Sequence, residues 1–233
     1  MLTRTQEDKD FILERLEETY YIENFIDKKD IEELCNMFYN TSNKVHKNTG
    51  PITAAIKDYN IDVLKKIENK IYKLYPDSEI YHGMFFYVER PHIIHNDDNR
   101  EKWPKIYKAF NIPLEYDGEE EPHLCFFDQV YLEGPSKFFK GEQDVETHYN
   151  TIVNDYKDVL GKTDEPFDSI MKEKYLTHLK DQWLEGLSFN SAHNWTPGNA
   201  IVFDCCRLHC ASDFTKIGVK NKLGISIFTK HRG

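Results

Sequence analysis

The sequence predicts one α+β domain in which helices come first and an antiparallel barrel or sandwich of short strands follows. Two changes of texture carry that prediction. Up to about residue 75, apolar residues recur at three- and four-residue steps. From Glu79 onward, short aromatic and β-branched runs alternate with Gly, Pro and Asn turns. Length agrees: 233 residues are enough to bury one substantial core. Only 39% of the residues are hydrophobic, but 14% are aromatic, and each aromatic ring buries a large area.

The elements follow in order. Residues 6–20 are expected to form an amphipathic helix, with Phe11, Ile12, Leu16 and Tyr20 on one face. A second helix is expected over 28–39, with Ile31, Leu34, Cys35 and Phe38 as its stripe and Asp27 as its cap. The segment NTGPI at 48–52 breaks structure. A third helix is expected over 60–74 on Ile61, Leu64, Ile67, Ile71 and Leu74, with Pro76 closing it. Strands are then expected at 80–88, 123–132, 136–139, 187–192, 199–204, 209–215 and 222–230. A turn at 196–199 (TPGN) separates two of them. An insertion at 140–186 is expected to be helical in its last half, through Phe167, Ile170, Met171, Leu176, Leu179, Trp183 and Leu184. That insertion and the loop 98–122 are the natural substrate lids, because long loops in compact domains tend to be functional. There is no internal repeat and no low-complexity linker.

Charge and composition exclude several functions. The formal net charge is -10, and no long basic run offers phosphates a positive face, so no nucleic-acid partner is expected. No apolar stretch approaches the roughly 20 residues that span a bilayer. The first residues, MLTRTQEDKDFILERLEE, lack an apolar signal core. Five cysteines form no CxxC pair, which argues for reduced thiols and a cytoplasmic location. Cys206, His209 and Cys210 are close enough to raise a zinc site, but a closed zinc site needs a second ligand pair that is not evident.

Three features in the strand-rich part carry chemistry. His95-Asn96-Asp97 places an imidazole and a carboxylate at alternate positions of an extended segment, where both can reach one metal. His209 stands at the entry to a strand after VFDCCRL. Lys222 opens KLGISIF, in which Leu223, Ile225 and Ile227 take one face and Lys222, Gly224 and Ser226 the other. Singly, these read as a polar loop, a structural histidine and a solvated edge lysine. Together, two histidines and one carboxylate match the facial arrangement that leaves a metal with open positions. A cation just downstream is a suitable partner for a carboxylate.

The stretch from Glu79 to Thr229 resembles the 2-oxoglutarate and Fe(II)-dependent dioxygenase superfamily. The resemblance is carried by PHIIHNDD, EPHLCFFDQVYLEGPSKFF and WTPGNAIVFDCCRLHCASDF, and ENFIDKKDIEELCNMF is similar to the helices that precede such cores. It implies a double-stranded β-helix (jelly-roll, cupin-like) core at 79–230, helical support at 1–78 and the insertion at 140–186, all in one domain over 1–233. It also implies His95, Asp97 and His209 as iron ligands. Lys222 then pairs with the distal carboxylate of 2-oxoglutarate, with Tyr131 and Ser226 as further co-substrate contacts. Many members have Arg at the anchor and Ser or Thr two residues later, where this chain has Gly224; Lys220 and Arg207 are rival anchors. The implied cofactors are Fe(II), 2-oxoglutarate and O2. The implied reaction is hydroxylation of a small molecule or of an amino-acid or peptidyl substrate, with release of succinate and CO2. Halogenating members lack the carboxylate that Asp97 supplies. The competing reading is a cupin-like metal-binding barrel without oxygenase activity, but the HxH pair common in cupins is absent.

Overall fold

Asp27 starts the second helix by accepting a hydrogen bond at Oδ1 from the Asp30 amide (2.8 Å). That helix, α2, runs Lys28–Asn40 and buries Leu34 and Phe38. Helix α3 (Asp62–Leu74) buries Val63, Leu64, Ile67 and Ile71, which are neighbours on one face of a 3.6-residue repeat. The computed structural model describes residues 4–45, 51–56, 61–98, 105–134, 136–138, 152–153 and 156–232. The predicted break at 48–50, the first part of the insertion and the start of the loop at 99–104 lie outside the described residues.

The first helix is shorter than its periodicity implied. Helix α1 covers Gln6–Leu13, opens on a reciprocal Thr5–Asp8 capping box and buries Ile12 alone. With one buried residue it has little to prolong it, and the chain extends instead. Tyr20–Ile22 becomes strand β1, an edge strand on Ala200–Asp204 (β10), with Tyr21 opposite Ile201.

The remaining strands are β2 (Ile52–Ala55), β3 (Ser78–Val88), β4 (Ile106–Tyr116), β5 (His123–Tyr131), β6 (Lys137–Phe138), β7 (Ile152–Val153), β8 (Val159–Leu160), β9 (Phe189–Asn194), β11 (Arg207–Ala211) and β12 (Lys222–His231). Six form a sheet in the order β1-β10-β4-β12-β3-β2. A second sheet runs β11-β5-β8, with β9 also paired to β5. All these pairings are antiparallel; β6 and β7 form a short parallel pair. From β3 onward the chain passes repeatedly between the two large sheets.

Strand alternation sorts the core into three layers. Leu223, Ile225 and Ile227 of β12, with Phe85, Phe110 and Ile112, meet the helices α2 and α3. Between the sheets lie Phe126, Trp195, Ile201, Phe203 and Phe228. On the outer face of the smaller sheet, Cys125, Phe127, Leu208 and Cys210 pack under the insertion's Leu176, Leu179 and Trp183. The insertion is less helical than expected. Among its described residues are one short helix, α4 (Ser169–Tyr175), capped by Asp168, and a 3-10 turn at Asp181–Trp183.

The expected lid at 98–122 is corrected by β4, a strand in the middle of the larger sheet between β10 and β12. Its polar residues hid it. Lys108 is 1% exposed, yet its ammonium meets Asp204 at 2.6 Å and Glu17 at 3.0 Å. Pro113 lies beyond the β10 pairing and opposite Gly224, where the β12 register shifts, a place where a missing N–H is tolerated. Among the described residues no helix is long and apolar enough to cross a membrane.

Candidate metal centre

His95 and His209 are paired through the main chain. The His95 amide donates to the His209 carbonyl (3.0 Å) and the His209 amide to the His95 carbonyl (2.9 Å). Residues opposite one another in such a pair project to the same side, and the two imidazole centroids are 4.3 Å apart. Asp97, two residues on, takes the same side, held by its amide donating to the Cys205 carbonyl at 2.8 Å. The three residues offer ligand atoms that all lie within 4.8 Å of one another. Asp97 Oδ2 is 3.3 Å from His209 Nε2, and Oδ1 is 3.9 Å from His95 Nε2.

Both imidazoles are oriented from behind. Nδ1 of His95 lies 2.8 Å from the Ile93 carbonyl, and Nδ1 of His209 lies 2.9 Å from the Arg207 carbonyl. A carbonyl only accepts, so each Nδ1 donates to the main chain behind it, which turns each Nε2 towards Asp97. Burial pushes the pKa of His95 well below the usual histidine range, and the neighbouring His209 and His92 push it the same way. Burial raises the carboxyl of Asp97, but the His209 and His95 rings outweigh it and hold the pKa below the ordinary value. Around neutral pH, His95 is therefore neutral and Asp97 an anion. The side chains of His95 and Asp97 keep 10% and 15% of their surface exposed, against 2% for His209, so the cluster is open on the His95–Asp97 side.

The zinc alternative is not formed. Cys210 lies opposite Cys125 in the register and packs with it on the outer face of the smaller sheet, away from the His209 ring. Among the described residues, no cysteine joins the His95–Asp97–His209 cluster.

Lys222 stands at the start of β12 between Val88 and Tyr116. As alternation predicts, it shares with Gly224 and Ser226 the face between the sheets. It is 3% exposed, and its Nζ sits 4.0 Å over the Trp195 ring and 5.3 Å from the Phe214 ring. No carboxylate or carbonyl among the described residues pairs with it. Burial without a counter-ion lowers its pKa to about 7. Ser226 is buried on the same face, opposite Asn111 and Met84. Of the rival anchors, Lys220 is exposed and paired with Asp117. Arg207 donates to the main-chain carbonyls of Phe127 (3.3 Å) and Glu17 (3.2 Å). Tyr131 is not brought to this face: it packs edge-on against Phe138 at 5.0 Å, in the layer under the insertion.

No protein-family model matches the chain, and no curated protein matches it by sequence. Solved structures match over almost its whole length. The non-heme alpha ketoglutarate dependent epimerase SnoN from nogalamycin biosynthesis aligns at TM-score 0.53 and 10% identity, covering 97% of this chain and 82% of that one. HygX from Streptomyces hygroscopicus, with nickel, 2-oxoglutarate and hygromycin B bound, aligns at 0.53 and 9%, covering 97% and 87%. A Pseudomonas putida prolyl-4-hydroxylase aligns at 0.50 and 10%, covering 92% and 93%. The chain shares their fold.

Two supports of the metal loop had no visible signal in the sequence. The Asn96 amide donates to the carbonyls of Tyr131 and Gly134 (3.1 Å each) and accepts from the Ser136 amide (2.9 Å). Asp98 takes a bidentate pair from Arg4 at 2.7 and 2.8 Å, with both side chains fully buried. The partners are 94 residues apart, beyond the reach of any local pattern.

Proposed function

We propose that the protein is a non-haem Fe(II)- and 2-oxoglutarate-dependent oxygenase of the superfamily it resembles. In this reading residues 79–230 are a double-stranded β-helix within one domain, and residues 1–78 buttress it. The observation that carries the reading is the convergence of His95, Asp97 and His209 on one point, open on one side. Two imidazoles and one carboxylate suit a divalent cation that must keep positions for other ligands. The residues also fit the co-substrate. A buried ammonium without a counter-ion is costly, and the distal carboxylate of 2-oxoglutarate supplies what Lys222 lacks. Among the described residues, Trp195 Nε1 and Asn111 Oδ1 are likewise buried without a hydrogen-bond partner.

Iron and 2-oxoglutarate, when bound, would together with O2 supply an oxidant for C–H bonds, one oxygen atom going to succinate as CO2 leaves and the other to the substrate. The protein's part is positional. His95, Asp97 and His209 hold the metal, with the Ile93 and Arg207 carbonyls keeping each Nε2 free to coordinate. Lys222 draws the dicarboxylate to the β12 end of the space between the sheets, and Ser226 lines that face. Phe126 and Phe203, whose rings lie 5.8 and 4.6 Å from the His209 ring, keep the buried side of the centre dry. Hydroxylation of a small molecule or of an amino-acid or peptidyl substrate is the outcome we assign, and Asp97 argues against halogenation. The SnoN likeness makes epimerisation the outcome to test beside it. All five cysteines are free, which supports a reducing, cytoplasmic setting, and the acidic net charge argues against a nucleic-acid partner.

The test is succinate release from 2-oxoglutarate by the Fe(II)-loaded protein, screened against amino acids, peptides, nucleosides and lipid-like acids. Substrate-stimulated succinate is expected. A protein that neither binds 2-oxoglutarate nor releases succinate with any of them is not this kind of enzyme.

A further inference from the structure

β12 reaches the candidate co-substrate space with Lys222, Gly224 and Ser226, and the middle position has no room for a side chain. A Cβ on Gly224 would lie 2.7 Å from Trp195 Cζ2, 2.9 Å from Phe86 Cζ and 3.1 Å from the Ile112 carbonyl oxygen. The ring of Trp195 occupies that space. It is fully buried, anchored by its amide donating to the Pro122 carbonyl at 2.8 Å, and set edge-to-face on Phe86. Its indole N–H has no acceptor among the described residues. An orphaned donor of this kind in a packed core is uncommon and costs free energy that a ligand oxygen would recover. The unpaired Lys222 ammonium lies 4.0 Å above the same ring. The ammonium faces the ring and the N–H lies in the ring plane, so the two donors border the same space from different directions.

We propose that the Trp195 indole N–H is a second donor, beside Lys222, to the distal carboxylate of the bound 2-oxo acid, and that Gly224 is glycine to admit the ring. The inference rests on the 2-oxoglutarate reading above and deepens it.

The test is a cycle between residue and ligand group. Zn(II)-loaded protein is titrated calorimetrically with 2-oxoglutarate and with 2-oxopentanoate, the same 2-oxo acid without the distal carboxylate. Trp195→Phe is expected to weaken 2-oxoglutarate binding about 10-fold or more, the size of a charge-assisted hydrogen bond. It should change 2-oxopentanoate binding by no more than about twofold, since a general packing defect would weaken both equally. A second readout needs no variant at position 195. In indole-15N-labelled protein, with the other two of its three tryptophans assigned by Trp103→Phe and Trp183→Phe, the Trp195 N–H resonance should move with 2-oxoglutarate and not with 2-oxopentanoate. Equal weakening of both ligands, or an unmoved resonance in protein that binds 2-oxoglutarate, overturns the assignment of Trp195. Wild-type protein that binds neither 2-oxo acid overturns the reading of the site itself.

Discussion

Replacing Lys222 by Met should stabilise the ligand-free protein while removing its affinity for 2-oxoglutarate. Burial lowers the Lys222 pKa from 10.5 to about 7, so the ammonium is disfavoured in the folded state. At about 1.4 kcal/mol per pH unit, that displacement is worth on the order of 4–5 kcal/mol when fully present. The cation–π contact with Trp195 returns at most ~2 kcal/mol, so the net sign is destabilising. Below pH 7 both folded and unfolded chains carry the proton, and the cost is complete. As pH rises from about 7 towards 10.5, the folded state has already lost its proton while the unfolded state still holds one, so the cost fades. Thermal melts of both proteins at pH 6, 7.5 and 9.5 are the assay. Lys222→Met should gain on the order of 2–4 kcal/mol at pH 6, roughly 5–15 °C for a chain of this size, and the gain should shrink steadily towards pH 9.5. With Zn(II) present, 2-oxoglutarate should raise the wild-type melting temperature and leave that of the variant nearly unchanged. A variant that melts no higher than wild type at pH 6, or a gain that grows with pH, would refute the reasoning.

Three further outcomes are expected. Arg4→Met strips the fully buried Asp98 carboxylate of its bidentate partner, and should cost about 3–5 kcal/mol; adding Asp98→Asn should restore most of it in chemical denaturation. His95→Ala and His209→Ala should each lower Co(II) affinity more than about 100-fold while the far-ultraviolet circular dichroism spectrum stays that of wild type; calorimetric titration showing undiminished affinity in either would remove that residue from the ligand set. Gly224→Ser drives a side chain into Trp195 and Phe86, and overpacking of this kind costs about 1–3 kcal/mol; a variant as stable as wild type would mean that the ring moves aside easily.

The parts of the fold that show in the sequence are those stabilised by local pattern. Leu34 and Phe38, and Leu64, Ile67 and Ile71, recur at helical steps, and Asp27 caps as its residue type predicts. The faces of β12 follow from strict alternation. β4 is masked in the sequence because Lys108 and Asn111 look like solvent-facing residues. Only the folded chain supplies Asp204 and Glu17, and only the register shift at Gly224 makes Pro113 acceptable inside a sheet. The end of α1 was hidden for the opposite reason: its periodicity continues past Leu13, but pairing of Tyr20–Ile22 with β10 is the better use of that chain. For Tyr131, alternation alone leaves the phase of β5 open, and the folded strand turns it to the layer under the insertion. The candidate metal cluster is readable as a set of residue types in order, His95 and Asp97 at i and i+2 with a distal His209. Its supports, Asn96 and the Arg4–Asp98 pair, depend on contacts across the fold that leave no mark on neighbouring residues.

X-ray absorption at the iron edge, on protein loaded anaerobically with Fe(II) and then given 2-oxoglutarate, tests the central claim most directly. The account predicts a shell of nitrogen and oxygen donors with two imidazoles and no sulfur, in which added 2-oxoglutarate replaces solvent oxygens while both imidazoles stay. A sulfur donor, a four-coordinate shell closed by protein ligands alone, or a spectrum unchanged by 2-oxoglutarate would contradict it.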